Sequence, residues 1–212
     1  MYFEQFLDKV CIQFDKALRI LHHIGTDSLR QNPAEVVEPS KLNATERKVS
    51  AGLMRINHAG EVCAQALYHG QSLTAKLHTV RDKMNHAAQE EIEHLTWCKE
   101  RLQQVNSHTS YLNPMWYLGS FIIGATAGLI SDRWSLGFVA ETERQVVKHL
   151  DGHMKRLPEQ DRESRAIIIQ MRADEEKHRE DAIAAGALEF PQMVRTAMKF
   201  TSRLMTKITY WV

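Results

Sequence analysis

The chain has 212 residues, 43% of them hydrophobic and 25% charged, enough for one domain with a full core and unlike a disordered composition. A net charge of +1 argues against the basic field of a nucleic-acid binder. The scattered cysteines Cys11, Cys63 and Cys98 form no C-x-x-C pair and argue for reduced thiols in a cytosolic compartment rather than a disulfide framework.

At the N-terminus, Glu4 and Asp8 stand where a secretory signal would be basic, and no Arg/Ser-rich transit pattern is seen. Residues 3–22 carry Phe3, Phe6, Leu7, Val10, Phe14, Leu18 and Leu21 on one stripe, which predicts an amphipathic helix. That helix is expected either to serve a membrane surface or to pack onto the bundle or a second subunit. A polar break with Gly25, Pro33 and Pro39 covers 25–42. Asn43-Ala-Thr-Glu46 reads as a capping box opening a helix over about 44–72. Thr79-Val-Arg-Asp82 resembles a second helix start, with the helix running to about 104. Residues 105–114 read as a loop.

Residues 115–130, MWYLGSFIIGATAGLI, are uncharged and apolar, and Asp132 and Arg133 close the run. At roughly 1.5 Å per residue the run spans about 24 Å, short of a relaxed bilayer crossing. Two readings stand: a buried core helix, or a helix lying in a membrane face and admitting a lipid-like substrate. Trp116, Tyr117 and Trp134 flank it, as aromatics do at interfaces. Further helices are expected over about 134–157, ended by Pro158, and over about 162–186. The tail after Pro191 is helical in pattern, with Val194, Met198 and Met205. No β-alternation, phosphate loop or low-complexity run is seen. The pattern predicts an all-α chain: an amphipathic extension over 1–40 and one bundle domain over 41–212.

Two of these helices contain Glu-x-x-His: Glu91-Ile-Glu-His94 and Glu175-Glu-Lys-His178. Residues three apart share a helix face, so each pair can offer a carboxylate and an imidazole to one metal. Either pair alone is a weak signal. The helical phase strengthens both, because Glu91 and His94 lie on the stripe Val80, Met84, Ala87, Leu95, Cys98, Leu102, and Glu175 and His178 on the stripe Ile168, Met171, Ala182, Ala185. Glu143 falls between Val139 and Val146. Glu61 is bracketed by Leu53, Asn57, Ala64 and Tyr68. Glu141 lies about 200° round the helix from Glu143, with Gln145 and Lys148, and is rejected as a ligand. Glu90 and Glu93 are read as solvated charges.

Core-facing carboxylates need partners, since unpaired burial costs several kcal/mol or more. Two metal ions held by Glu61, Glu91, His94, Glu143, Glu175 and His178 supply them. This is the ligand pattern of ferritin-like di-iron carboxylate bundles, and iron suits it, though manganese also fits. The zinc-protease pattern H-E-x-x-H is absent. Most of the eleven histidines are read as surface residues. His58 is read as packed or on the surface rather than as an outer partner of Glu61. Asp174 is read either as a carboxylate orienting His178 or as a surface acid.

The stretches Met54-Arg-Ile-Asn-His-Ala-Gly-Glu61, Glu91-Ile-Glu-His94, Gly119-Ser-Phe-Ile-Ile-Gly-Ala, Ser135-Leu-Gly-Phe-Val-Ala-Glu-Thr-Glu143 and Asp174-Glu-Glu-Lys-His178 carry a resemblance that covers about 45–190. The chain resembles the bacterial demethoxyubiquinone hydroxylases of ubiquinone biosynthesis. The resemblance implies a ferritin-like fold with a membrane-facing segment and two irons per chain. It implies Glu91 and Glu175 as bridging ligands, and Glu61 with His94 and Glu143 with His178 as terminal ones. It implies O2 as co-substrate, a polyprenyl methoxy-methyl-benzoquinol as substrate, and a peripheral place on the cytoplasmic side of the cell membrane. It also allows for partner proteins of the same pathway. No dinucleotide fingerprint is present, so electrons must come from a separate reductant, NADH or the quinol itself. The rivals are an iron store, against which the greasy segment counts, and a di-iron hydroxylase of another large substrate such as tRNA, against which the near-neutral charge counts. A purely structural bundle would leave the buried acids unexplained.

Overall fold

The computed structural model describes residues 2–25 and 30–212; the stripe positions Phe3 and Phe6 lie outside the side chains described. Seven α-helices account for most of it, and no strand occurs among the described residues. They are α1 (Tyr2–His22), α2 (Ala44–Thr74), α3 (His78–Gln104), α4 (Asn113–Ile130), α5 (Asp132–Arg156), α6 (Arg162–Ala184) and α7 (Gln192–Thr209), with a 3-10 turn at Pro33–Val36.

Local chemistry sets most of the boundaries. The capping box of α2 forms in full: Asn43 Oδ1 accepts from the Thr45 and Glu46 amides, and Glu46 Oε2 accepts from the Asn43 amide at 2.8 Å. The helix start expected at Thr79 lies within one residue of the observed one, but Thr79 is not its cap. α3 starts at His78 with no side-chain cap. Instead Asp132, from the start of α5, accepts from the Lys76 and Leu77 amides at 3.0 and 2.9 Å. A carboxylate from across the fold thus ties down the approach to α3 without capping its first turn. Ser131 breaks α4 from α5 with an extended backbone and caps the Trp134 amide. Asp161 caps α6 and, fully buried, also receives Arg101 at 2.7 Å and Ser50.

α2, α3, α5 and α6 share one interior. Leu53 and Met54 of α2, Trp97, Cys98 and Leu102 of α3, Leu150 of α5 and Ile167, Ile168 and Met171 of α6 pack together there. Truncating a fully buried residue such as Leu53 to alanine costs about 2–5 kcal/mol. A second cluster at the other end joins Tyr68, Val80, Met84, Leu136, Val139 and Ala182. The expected stripes are therefore the inward faces.

α4 packs along α2 backbone to backbone. A Cβ at Gly124 would collide with the Leu67 carbonyl oxygen, and one at Gly70 with that of Phe121. Only this glycine-rich face is buried. Met115, Leu118, Ile122, Ile123, Leu129 and Ile130 are exposed on the other, so the reading of 115–130 as a buried core helix does not hold. No helix among the described residues is long and apolar enough to cross a membrane. The C-terminal half of α1 packs onto the bundle, one of the two roles expected of it. Ile20, with Ala17 and Leu21, packs against Val62, Leu95 and Tyr117, while Leu7, Val10 and Phe14 are exposed. The three cysteines are unpaired.

Candidate metal centre

Glu61 of α2, Glu91 and His94 of α3, Glu143 of α5, and Glu175 and His178 of α6 all point inward and are buried. The two imidazoles face each other across Glu91 and Glu175. His94 Nδ1 lies 3.1 Å from Glu91 Oε2, 3.2 Å from Glu175 Oε1 and 3.8 Å from Glu61 Oε2. His178 Nδ1 lies 3.2 Å from Glu91 Oε1 and 3.2 Å from Glu175 Oε2. Each of the two central glutamates therefore turns one oxygen to each histidine. Glu61, Glu91, His94 and Glu175 offer ligand atoms within 4.8 Å of one another. Glu143 stands on the other side, its Oε1 accepting from the Tyr68 hydroxyl at 2.6 Å.

The outward nitrogens meet carboxylates too. His94 Nε2 donates to Asp174 Oδ2 at 3.0 Å, and His178 Nε2 to Glu90 Oε2 at 3.1 Å. An outward N–H held by a carboxylate leaves Nδ1 as the inward lone pair, the tautomer a metal-ligating histidine needs. Asp174 in turn receives Arg30 through Nη2 at 2.9 Å and Nη1 at 3.2 Å, and Gln170 at 3.0 Å. Arg30 also pairs with Glu93 through both its side chain and its amide.

The electrostatics are those of crowded acids. Burial, then Glu91, raises the Glu61 pKa well above the carboxylate range; burial, then Glu175 and Glu91, does the same for Glu143. Burial also works against the charge on Glu91, but His178 and His94 outweigh it and hold that carboxyl low. Burial opposes the charged imidazoles as well; the surrounding carboxylates overcome it, raising His94 and pushing His178 up to about 12.

The donor set fits divalent metal. Fully ionised, the four carboxylates outnumber the two imidazoles, and hard cations would balance the excess and hold all four in that form. Glu91 Oε1 is fully buried, yet it has no hydrogen bond, only the ring nitrogen of His178 close by. One Nδ1 facing three carboxylates cannot satisfy them all with a single proton, whereas a cation can.

The family model for ubiquinone biosynthesis protein COQ7 matches residues 48–209. The chain belongs to this family. Its relatives include proteins named 3-demethoxyubiquinol 3-hydroxylase. The one from Nitrosococcus oceani is 51% identical over 97% of this chain and 96% of its own length. Those from Ectopseudomonas mendocina and Acinetobacter baumannii are 55% and 54% identical, over 96% and 97% of this chain and 95% and 97% of theirs.

In this COQ7-family chain several outer residues differ from their sequence reading. Asp174, expected to orient His178 or to lie on the surface, bonds to His94 on the facing helix. Glu90 is no solvated charge but the acceptor for His178, and Glu93 is buried against Arg30. His58 is fully buried against His23 and Asn113, packed rather than exposed. Five histidines, His58, His69, His94, His153 and His178, are buried, more than the surface reading allowed. Glu141 binds Arg144 and Gln145, apart from the centre. Tyr68, on the Glu61 stripe, could have been found by its phase. Arg30, in the Pro/Gly break, carries no sequence signal.

Proposed function

We propose that this chain is a di-iron monooxygenase that hydroxylates the ring of a polyprenylated methoxy-methyl-benzoquinol, 3-demethoxyubiquinol, using O2. One oxygen atom enters the ring C–H bond; the other leaves as water, with two electrons and one proton from an external reductant such as NADH and a second proton from solvent. The observation that carries this reading is the pair of opposed Nδ1 atoms, each facing one oxygen of Glu91 and one of Glu175. The names of the relatives supply the substrate.

On this reading α2, α3, α5 and α6 are a ferritin-like bundle. Two irons would be held there, Glu91 and Glu175 serving both, Glu61 and His94 serving one and Glu143 and His178 the other. Iron, when bound, supplies the redox chemistry that activates O2, which side chains alone lack. The chain's own residues hold and orient. Asp174 and Glu90 fix the two imidazoles, Tyr68 holds one oxygen of Glu143, and the surrounding apolar wall keeps water out.

The exposed apolar side of α4 supports a peripheral protein on the cytoplasmic face of the cell membrane, with the prenyl tail entering beside α4. Phe14 of α1 and Phe200, Leu204 and Trp211 at the C-terminal end are further exposed apolar side chains. We read residues 1–40 as an amphipathic extension and 41–212 as the hydroxylase domain; the family match over 48–209 supports the second part of that reading. Partner proteins of the pathway would meet it there, and nothing in the charge invites nucleic acid. Quinone profiling of cells lacking this protein tests the reading. Accumulation of the demethoxy precursor is expected; an unchanged quinone profile would overturn it.

A further inference from the structure

We propose that the two metal positions of this centre are unequal, the one served by His94 binding the more tightly, and that Arg30 sets much of the difference. The inference rests on the di-metal reading above. The sequence offers the same Glu-x-x-His pair twice and no hint of a preference. The surroundings of the two pairs differ at both the inner and the outer nitrogen.

On the inner side, Glu61, Glu91, His94 and Glu175 are already gathered within 4.8 Å. A cation arriving there would find its donors converging. Beside His178 the terminal acid is engaged elsewhere. Glu143 Oε1 accepts the Tyr68 hydroxyl at 2.6 Å, so a cation must bind through the other oxygen or compete with that bond.

The outer side differs more. Asp174 is held by three donor contacts besides His94: the two ends of the Arg30 guanidinium and the Gln170 amide. A forked guanidinium fixes a carboxylate in direction as well as place. Arg30 is itself fixed, by Glu93 and by stacking over the Trp97 ring at 5.1 Å. That ring lies 5.4 Å from His94. Imidazole, carboxylate, guanidinium and indole thus form a closed circuit of contacts that holds the His94 ring at more than one point, although Arg30 itself is 42% exposed. His178 has no such circuit. Its acceptor Glu90 keeps 32% of its side chain exposed, and a further imidazole beside it, His86 at 3.8 Å, is itself exposed. Water competes for Glu90, and the His178 ring is held by less. Removing the outer partner of a metal-bound histidine typically costs about 10–100-fold in metal affinity. An unequal pair of outer partners therefore predicts unequal metal positions.

Arg30 precedes the bundle and belongs to no helix, so the segment before α2 is a working part of the centre rather than a loose leader. It acts through Asp174 and is a positioning residue.

The test is anaerobic titration of the full-length, metal-free protein with Fe(II), and separately with Co(II), followed by calorimetry and visible absorption. The wild-type chain should take two equivalents in two resolved steps, the first tighter by about tenfold or more. Arg30→Ala should weaken the first step about tenfold, merging it with the second while the total stays at two. Arg30→Lys, which keeps the charge but loses the fork, should recover only part of the gap. Glu90→Gln should weaken the second step and spare the first. Thermal melting of the metal-free variants reports folding separately. Two equivalents in a single class for the wild type, or an unchanged gap in Arg30→Ala, would overturn the proposal. So would equal weakening of both steps with a drop in melting temperature, which would make Arg30 a staple only. Uptake of one equivalent or none would instead defeat the di-metal reading on which the proposal rests.

Discussion

His94 and His153 are buried to the same degree, 0% and 1% exposed, in the same bundle, yet they are driven to opposite charge states. His153 has no hydrogen-bond partner at either ring nitrogen, and burial, then His149 and Arg156, lowers its pKa to about 2. His94 meets the same desolvation, but four carboxylates reverse it. His58 and His69 follow His153, and His178 follows His94. Burial suppresses charge everywhere in this interior; only an excess of buried acid inverts the outcome. That excess marks where cations belong.

Removing the excess should break the contrast most completely. Glu91 faces both histidines, so Glu91→Ala should abolish iron retention at both positions and all hydroxylation with it. Elemental analysis after anaerobic iron loading checks this against a wild-type content near two per chain. A wild-type content near one, or zinc kept in preference to iron, would count against the di-iron reading.

The next test separates two acids two residues apart. Glu143→Ala should lose activity and lower iron occupancy, because Glu143 sits beside Glu175 and His178. Glu141→Ala should keep the metal but cost about 1–3 kcal/mol of stability, since Glu141 is buried and its loss leaves Arg144 and Gln145 without their acceptor. Exchanged phenotypes would mean that α5 presents its other face.

The neutral histidines make a pH prediction. Unfolded, each takes a proton near pH 6.5; folded, only near 4 for His23 and His149, 3 for His69 and 2 for His153. The unfolded chain then binds more protons below pH 6.5, so stability is full above 6.5 and is lost as pH falls towards those values. Melting temperatures between pH 7.5 and 5 should drop accordingly. His153→Leu should flatten the slope and raise stability by about 1 kcal/mol, because it removes two unsatisfied nitrogens. An unchanged slope would show that His153 finds water.

The smallest effect on stability belongs to α4. Ile123 is 41% exposed. Ile123→Asp should reduce liposome binding and raise KM for long-tailed quinol while sparing a short-tailed analogue, with a melting shift within about 2–4 °C. A large melting shift with equal loss on both substrates would return α4 to the buried core.

The sequence by itself determined the helices and their inward faces, because period and caps are written within a turn or two of each residue. Asn43 and Glu46 carry the start of α2 between them, and stripe phase turned Glu61, Glu91, His94, Glu143, Glu175 and His178 towards one interior. Which side of α4 would be covered was not legible, because Gly70 and Gly124 matter only once two backbones touch. Nor was the outer ring of the centre. Asp174 lies one turn from His178 in its own helix, yet it bonds to His94 of α3, while Glu90 of α3 bonds to His178 of α6. Arg30 reaches both from a stretch with no pattern at all. Only the tertiary structure decided these pairings, since the rotation and spacing of packed helices, which no single segment encodes, choose each outward nitrogen's partner.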